Sequence, residues 1–140
     1  MTMDALFGTT VTLLGKSLDL RARNQSLISA NLANVETPGY KPTSLSFEDG
    51  LKEAMESGNR GTPVHTEPGF IPLHGEATRL ESVSGEVVED KTASMGLDGN
   101  GVELDAQMSK LAENQIMYNA DVQLLNKKFE WLKLAIKGGN

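Results

Sequence analysis

Residues 30–41 read Ala30-Asn31-Leu32-Ala33-Asn34-Val35-Glu36-Thr37-Pro38-Gly39-Tyr40-Lys41, and a long apolar-periodic segment stops within them. Pro38 has no N–H to donate and forces Thr37 toward an extended conformation, so we expect the preceding helix to end near Asn34. Gly39 tolerates a positive φ. Residues 37–40 therefore predict a type II turn with proline second and glycine third.

Length and composition predict one domain with a modest core. The chain has 140 residues, of which 39% are hydrophobic and 5% aromatic. It has no cysteine, which excludes disulfides and thiolate metal sites. No stretch approaches the ~20 apolar residues of a membrane span. The N-terminus lacks the basic region and cleavage site of a signal peptide, so we expect a cytoplasmic location or export without cleavage.

Charge divides the chain into three parts. Residues 1–41 carry four bases and three acids, residues 42–101 four bases and eleven acids, and residues 102–140 five of each. Nucleic-acid binding needs a basic face, so this distribution argues against it. We expect an N-terminal helix with its turn (1–41), an irregular acidic middle (42–101) and a C-terminal coiled-coil helix (102–140), with both ends forming one structural unit.

The N-terminal segment repeats every seven residues. Its main apolar line is Leu6, Leu13, Leu20 and Leu27, with Asn34 in the same register. A second apolar line beside it gives a broad apolar face on a helix of roughly 30 residues. The line that completes the seam is small and polar: Thr10, Ser17, Asn24 and Asn31. Two interpretations stay open: polar positions on a surface helix, or amides and hydroxyls that fix the register with a partner helix.

The C-terminal segment has a longer heptad pattern. Its ten seam positions are Leu104, Met108, Leu111, Gln115, Tyr118, Val122, Leu125, Phe129, Leu132 and Ile136. Nine are apolar, and Gln115 is a candidate for setting register. Asn100 and Glu103 resemble a capping box at the start of this helix. A second apolar line contains Ile116, Met117, Leu124 and Trp131. One seam gives too little burial to order so long a helix, so we expect the two helices to pair through one face and to contact neighbouring subunits through the other.

The middle predicts little regular structure. A short amphipathic helix over Ser46–Glu56, with Ser46 as its cap, fits the spacing of its apolar residues. Glycine and proline are frequent from residue 57 to residue 101, where short strands fit at Val64–Ile71 and Glu81–Val88. The predicted fold class is mainly α: long N- and C-terminal helices pair as a coiled-coil hairpin, and the irregular Gly/Pro-rich middle has room for short β-strands.

Candidate chemistry is sparse. His65 with Glu67, and His74 with Glu76, repeat a His-x-Glu spacing that zinc can use, but no rigid framework for four ligands is evident, which favours surface-loop histidines. No nucleophile elbow or phosphate loop is present in the sequence. We therefore expect no enzyme activity, cofactor or metal. A metal-dependent hydrolase and a non-polymerising helical adaptor or chaperone stay as alternatives.

Two stretches of the sequence resemble one family. Residues 30–41 resemble the signature shared by the axial proteins of the bacterial flagellum, which form the rod, hook and hook-associated structures. The C-terminal part of the chain resembles the C-terminal motif of rod proteins in three places: Asn100-Gly101-Val102-Glu103-Leu104, residues 111–115 with Tyr118, and the ending 126–136. In the first of these, Gly101 replaces a more usual polar residue. The resemblance covers residues 1–48 and about 97–138. The ending is most similar to one proximal-rod protein, and the sister rod protein FlgC is the alternative.

The resemblance implies a structural role. Such a subunit passes unfolded through the flagellar type III export apparatus, without a cleavable signal peptide. It then assembles into a helical tube that crosses the periplasm and transmits torque. The implied partners are other copies, the rod proteins FlgC, FlgF and FliE, and the membrane ring and export gate at the rod base, with neither nucleic acid nor a small-molecule substrate. Our hypothesis is that a helix-end and turn motif fixes where the N-terminal helix ends and how its exit loop docks on the next subunit. The motif consists of Asn31, Asn34, Thr37, Pro38, Gly39 and Tyr40.

Overall fold

Two long helices form most of the structure. The computed structural model describes residues 3–59, 80–90, 97 and 99–138. The helix α1 spans Met3–Ala33 and the helix α3 spans Leu104–Ile136, and the two pack against each other. Between them lie the strand β1 (Thr43–Ser46), the helix α2 (Glu48–Asn59) and the strand β2 (Glu86–Glu89). The predicted mainly α fold with paired terminal helices is confirmed. None of the described helices is both long enough and apolar enough to cross a membrane.

The turn after α1 has the predicted geometry. The N–H of Tyr40 donates to the carbonyl oxygen of Thr37 over 3.3 Å, and Gly39 has a φ of 72°. A hydrogen bond from the fourth residue to the first, with glycine at positive φ in third position, defines the predicted type II turn. This turn directs the chain into β1, which packs against α1.

The two short strands form an antiparallel pair. Thr43 faces Glu89 and Ser46 faces Glu86. The strand predicted at Glu81–Val88 is therefore present only in its last part, because residues 80–82 are helical and residues 83–85 belong to neither a helix nor a strand. Lys110 of α3 forms an ion pair with Asp90, just after β2, and so fixes the sheet to α3. The strand predicted at 64–71 falls outside the described part of the chain.

The short helix α2 is confirmed, but its predicted cap is wrong. The N–H of Leu51 donates to the carbonyl oxygen of Phe47 over 2.9 Å, which places the start of the helix after Phe47. Ser46 belongs instead to β1, where it pairs with Glu86. The strand pairing of Ser46 thus excludes it from the cap position.

The core is narrow and lies where α1 meets the strands. Leu20, Leu45 and Phe47 are buried together, and Leu27, Leu51 and Val83 pack around them. Gly85 adopts a φ of 66°, and a Cβ there would lie 3.0 Å from the Leu45 Cγ. The chain thus approaches the core closely just before β2.

Two glycines of this fold give a matched test of the turn. Replacing Gly39 by alanine should lower the free energy of unfolding by about 1 kcal/mol, because alanine is strained at positive φ. The cause would be conformational, since no atom lies within 4 Å of an added Cβ. Gly15→Ala lies in α1 with equal space and should raise the free energy of unfolding by roughly 0.5–1 kcal/mol. Urea unfolding followed by circular dichroism measures both, and the same sign for the two variants would contradict this account of the turn.

Candidate functional site

A line of polar side chains joins α1 to α3. The Ser17 hydroxyl donates to the Asp121 carboxylate over 2.6 Å, and the Asn31 Nδ2 donates to the Gln107 Oε1 over 3.0 Å. Between them, the Asn24 Nδ2 donates to the Asn114 Oδ1 over a longer 3.5 Å. The residue numbers of each pair add up to 138, so the pairs repeat every seven residues along two antiparallel helices. We name these six residues the polar ladder.

The polar ladder decides between the two interpretations of the small polar line in α1. Ser17, Asn31, Gln107 and Asn114 are all buried. A shift of one helix along the other would separate every pair and leave buried amides without partners, which costs ~1–3 kcal/mol for each group. The polar side chains therefore fix the helix register.

Asn31 lies at one end of the polar ladder and uses its complete hydrogen-bonding capacity. Besides Gln107, its Nδ2 donates to the Thr43 carbonyl oxygen over 2.7 Å. Its Oδ1 accepts from the Thr43 N–H over 3.0 Å and from the Tyr40 hydroxyl over 3.4 Å. An amide has two donors and two acceptor sites, so all four are satisfied. With an exposure of 1%, this side chain joins α1, β1 and α3.

The middle pair of the polar ladder, Asn24 with Asn114, also forms a hydrogen bond to β1. The Asn24 Oδ1 accepts from the Leu45 N–H over 3.3 Å. The Asn114 Nδ2 donates to the Arg21 carbonyl oxygen and to the Gln25 Oε1, each over 3.0 Å. The free edge of β1 is thus paired with asparagine side chains of α1 rather than left open.

The third pair of the polar ladder, Ser17 with Asp121, includes a charged group. The Arg21 Nε lies 3.1 Å from the Asp121 Oδ2, and both side chains are largely shielded, with exposures of 14% and 17%. The Arg21 guanidinium also lies 5.6 Å from the centre of the Phe47 ring and 3.7 Å from the Glu48 carboxylate. The Asp121 carboxylate is shielded and bonds to both a guanidinium and a hydroxyl group, which makes its hydrogen bonds strong. Through Arg21, the same group of side chains also contacts Phe47 and Glu48 at the start of α2.

The two sequence motifs meet where α1 ends and α3 begins, next to the Asn31–Gln107 pair. The Asn100 Nδ2 donates to the carbonyl oxygens of Asn34 (3.2 Å) and Val35 (2.6 Å), and the Gly101 N–H donates to the Tyr40 carbonyl oxygen over 3.0 Å. The predicted capping box is therefore wrong. Glu103, and not Asn100, is the N-cap of α3, and it makes no side-chain cap bond. The Asn100 side chain instead binds the end of α1 and accepts from the N–H of Val102.

The helix-end and turn motif has an inner and an outer half. Asn31 is buried and Tyr40 half-buried, whereas Thr37, Pro38 and Gly39 are exposed. Asn34 bridges the halves: its Nδ2 donates to the Ala30 carbonyl oxygen over 2.8 Å, and its Oδ1 accepts from the Thr37 hydroxyl over 3.1 Å. The inner half holds the helix end in place, and the outer half faces solvent.

The structure divides the predicted seam of α3 between two faces. The half-buried members are Leu111, Tyr118, Val122, Leu125 and Leu132, whereas the exposed members are Leu104, Met108, Gln115, Phe129 and Ile136. In α1, Leu20 is buried and Leu13 and Leu27 are half-buried, while the side chain of Leu6 falls outside the described ones. The apolar pattern predicted that Gln115 lies at the seam, but Gln115 is exposed. The polar residues of α3 that bond to α1 are instead Gln107, Asn114 and Asp121. A role of these residues in assembly stays a prediction.

Sequence reasoning missed Arg21, Gln107, Asn114 and Asp121. The last three are spaced by seven residues, as are Ser17, Asn24 and Asn31, and this matching polar period was the available signal. Among the described residues, no group of three or more histidines and carboxylates could hold a metal ion. The suggested site at His65 and His74 lies in a segment that the structure does not describe.

Asn31→Ala tests the polar ladder. The variant leaves the Thr43 peptide and the Gln107 amide without their buried partners, so we expect the free energy of unfolding to fall by about 2–3 kcal/mol. Ser29→Ala, at an exposed position of the same helix, should change it by less than about 0.5 kcal/mol. Urea unfolding measures both variants, and equal midpoints would contradict a structural role for the Asn31 amide.

The sequence is similar to that of known proteins of one family. The sequence model of the family described as "Flagella basal body rod protein" matches residues 17–41, which hold the α1 side of the polar ladder and the turn. The chain is 37% identical to the flagellar basal body rod protein FlgB of Cereibacter sphaeroides, with 88% of this chain and 90% of the relative covered. It is 30% identical to FlgB of Bacillus subtilis (96% and 98% covered) and 29% identical to FlgB of Escherichia coli (89% and 91%).

These relatives do not favour the sister rod protein or an adaptor. The family is structural, which agrees with the predicted role. Because relatives at least 30% identical span nearly nine-tenths of the chain or more, the chain belongs to the FlgB family of flagellar basal body rod proteins.

Proposed function

We propose that this rod subunit builds the proximal part of the flagellar rod by assembling with other copies and with FlgC, FlgF and FliE into a helical tube. The observation that carries the proposal is the exposed apolar surface of α3. Ile116 and Leu134 are each 67% exposed, Trp131 is 63% exposed and Ile136 is 84% exposed. A helix that leaves so many large apolar side chains in water has surfaces suited to protein neighbours.

The polar ladder supports a mechanical role. The antiparallel pair of α1 and α3 is roughly 45 Å long at ~1.5 Å per residue. Its register is held by buried hydrogen bonds, and its apolar residues on other faces stay available for neighbours. A subunit whose helices resist sliding can pass torque along the rod axis instead of absorbing it. We place the terminal helices in the inner layer of the tube.

The narrow core supports export in an unfolded state. Within the described part of the chain, six apolar side chains are buried. Little burial means a small free energy of unfolding, which suits passage through the type III export apparatus before assembly in the periplasm. In this proposal the chain meets the export gate and the membrane ring at the rod base.

The exposed half of the turn motif is a candidate contact with the next subunit. Pro38 and Gly39 project from a turn that is fixed from within by Asn31 and Asn34. A rigid, exposed turn loses little conformational entropy on binding. We therefore assign docking of the exit loop to Thr37, Pro38 and Gly39, with Tyr40 holding its base.

A double charge substitution tests the assembly surface. Leu134→Glu with Ile136→Glu should lower incorporation into purified basal bodies about tenfold or more and abolish swimming in a strain that lacks its own copy of the gene. The reason is that two apolar contacts of ~1.5–3 kcal/mol each are lost on assembly. Helicity of the isolated chain should not change, because both side chains are exposed before assembly.

The matched control is Asn119→Glu with Gln123→Glu. It adds the same charge at exposed polar positions of the same helix. We expect this variant to swim normally. Normal incorporation of both double variants would contradict the assembly role of the exposed apolar surface.

A further inference from the structure

A groove of about 200 Å³ lies between α1 and α3, in the half of the helix pair away from the strands. Leu13 and Leu14 of α1 and Leu124 and Trp131 of α3 line it. Leu14 is buried, whereas Leu124 and Trp131 are 52% and 63% exposed, so the groove has a closed floor and an open wall. It is large enough for an apolar side chain, and none of the described segments fills it.

The groove is flanked by positive charge. Lys127 and Lys128 belong to its lining, and both lie between Leu124 and Trp131 along α3. Residues three and four apart are neighbours on a helix surface, so each lysine is next to an apolar member of the wall. The matching occupant is an apolar side chain carried by an acidic segment.

The chain itself contains such a segment. The helix α2 carries four acids (Glu48, Asp49, Glu53 and Glu56) against the single base Lys52. Met55 is 50% exposed on this helix, next in sequence to the exposed Glu56. Methionine is unbranched and flexible, which suits an irregular apolar groove. Met55 is not among the residues that line the groove of its own copy.

We propose that α2 of one copy docks in the groove of the next copy, with Met55 between Leu124 and Trp131. The acidic side of α2 then faces Lys127 and Lys128. This inference rests on the proposed function, and it adds which two surfaces of the copies meet. Because the two surfaces differ, the contact is heterologous, and each copy offers one of each surface to the next. Such a contact joins copies head to tail, and it builds an open helix when the rotation between copies does not close a ring.

Cysteine pairs test the contact, because the natural chain has no cysteine. Met55→Cys in one copy and Leu124→Cys in another are produced together in a strain lacking its own gene, and purified basal bodies are oxidised. A disulfide forms only when the two Cα atoms lie within about 7 Å. We expect a linked dimer at about ten times the yield of the control pair Met55→Cys with Asn126→Cys. Asn126 is exposed but lies roughly 200° around the helix from Leu124.

Charge reversal gives a second readout on the same pair. Lys127→Glu in the Leu124→Cys copy should lower the yield of dimer about two- to fivefold, as expected for an exposed ion pair. Glu56→Lys in the Met55→Cys copy should restore the yield. Loss without restoration would show that the two charges do not face each other, and this outcome would overturn the proposed orientation.

Other occupants give different products. Equal yields from Leu124→Cys and Asn126→Cys would overturn the inference. So would a link between Leu124→Cys and a different rod protein, or a link within one copy when both cysteines are in one chain. If the chain is present in basal bodies without the expected link, the inference alone fails. If the chain is absent from basal bodies that assemble, the proposed function fails as well.

Discussion

The structure depends on one buried amide. Asn31 satisfies all four of its hydrogen-bonding sites with the Thr43 peptide, Gln107 and Tyr40, so one side chain joins the two long helices to the first strand and to the turn. The described residues form a narrow core, so few apolar contacts among them are available to define the arrangement. The hydrogen bonds of a buried amide require particular directions, whereas apolar contacts do not. If a neighbouring group moved, the Asn31 amide would lose a buried hydrogen bond, which costs free energy.

The polar ladder extends this constraint along the helices and leaves apolar surface for other contacts. Most long helices bury apolar side chains against each other and expose polar ones. Here Gln107 and Asn114 are buried in the helix pair, while Trp131, Leu134 and Ile136 are exposed. Burying polar side chains between the helices and exposing apolar ones suits a subunit that completes its apolar contacts with neighbouring subunits. Register is fixed within the chain by directional hydrogen bonds, and much of the apolar area stays available for burial on assembly.

Two motifs far apart in the sequence form one structural junction. Asn100 donates to the last carbonyl oxygens after α1, and Gly101 donates to Tyr40 in the turn. Each motif alone describes one helix end. Together they close the helix pair at the end opposite the groove, so the exposed residues Pro38 and Gly39 project from a fixed base. The family match over residues 17–41 covers one side of both the polar ladder and this junction.

The sequence by itself determined the helix stop, the type II turn and the seven-residue period of both helices, because these follow from local sterics at Pro38 and Gly39 and from helical geometry. It also carried the paired polar periods, but a single sequence does not show which polar line faces a partner. Only the tertiary structure decided that Gln107, Asn114 and Asp121 face α1, that Gln115 faces solvent, and that Ser46 and Asn100 serve a strand and a junction instead of helix caps. The reason is that a polar side chain takes the partner which the packed chain brings within hydrogen-bond distance, and that partner lies far away in sequence.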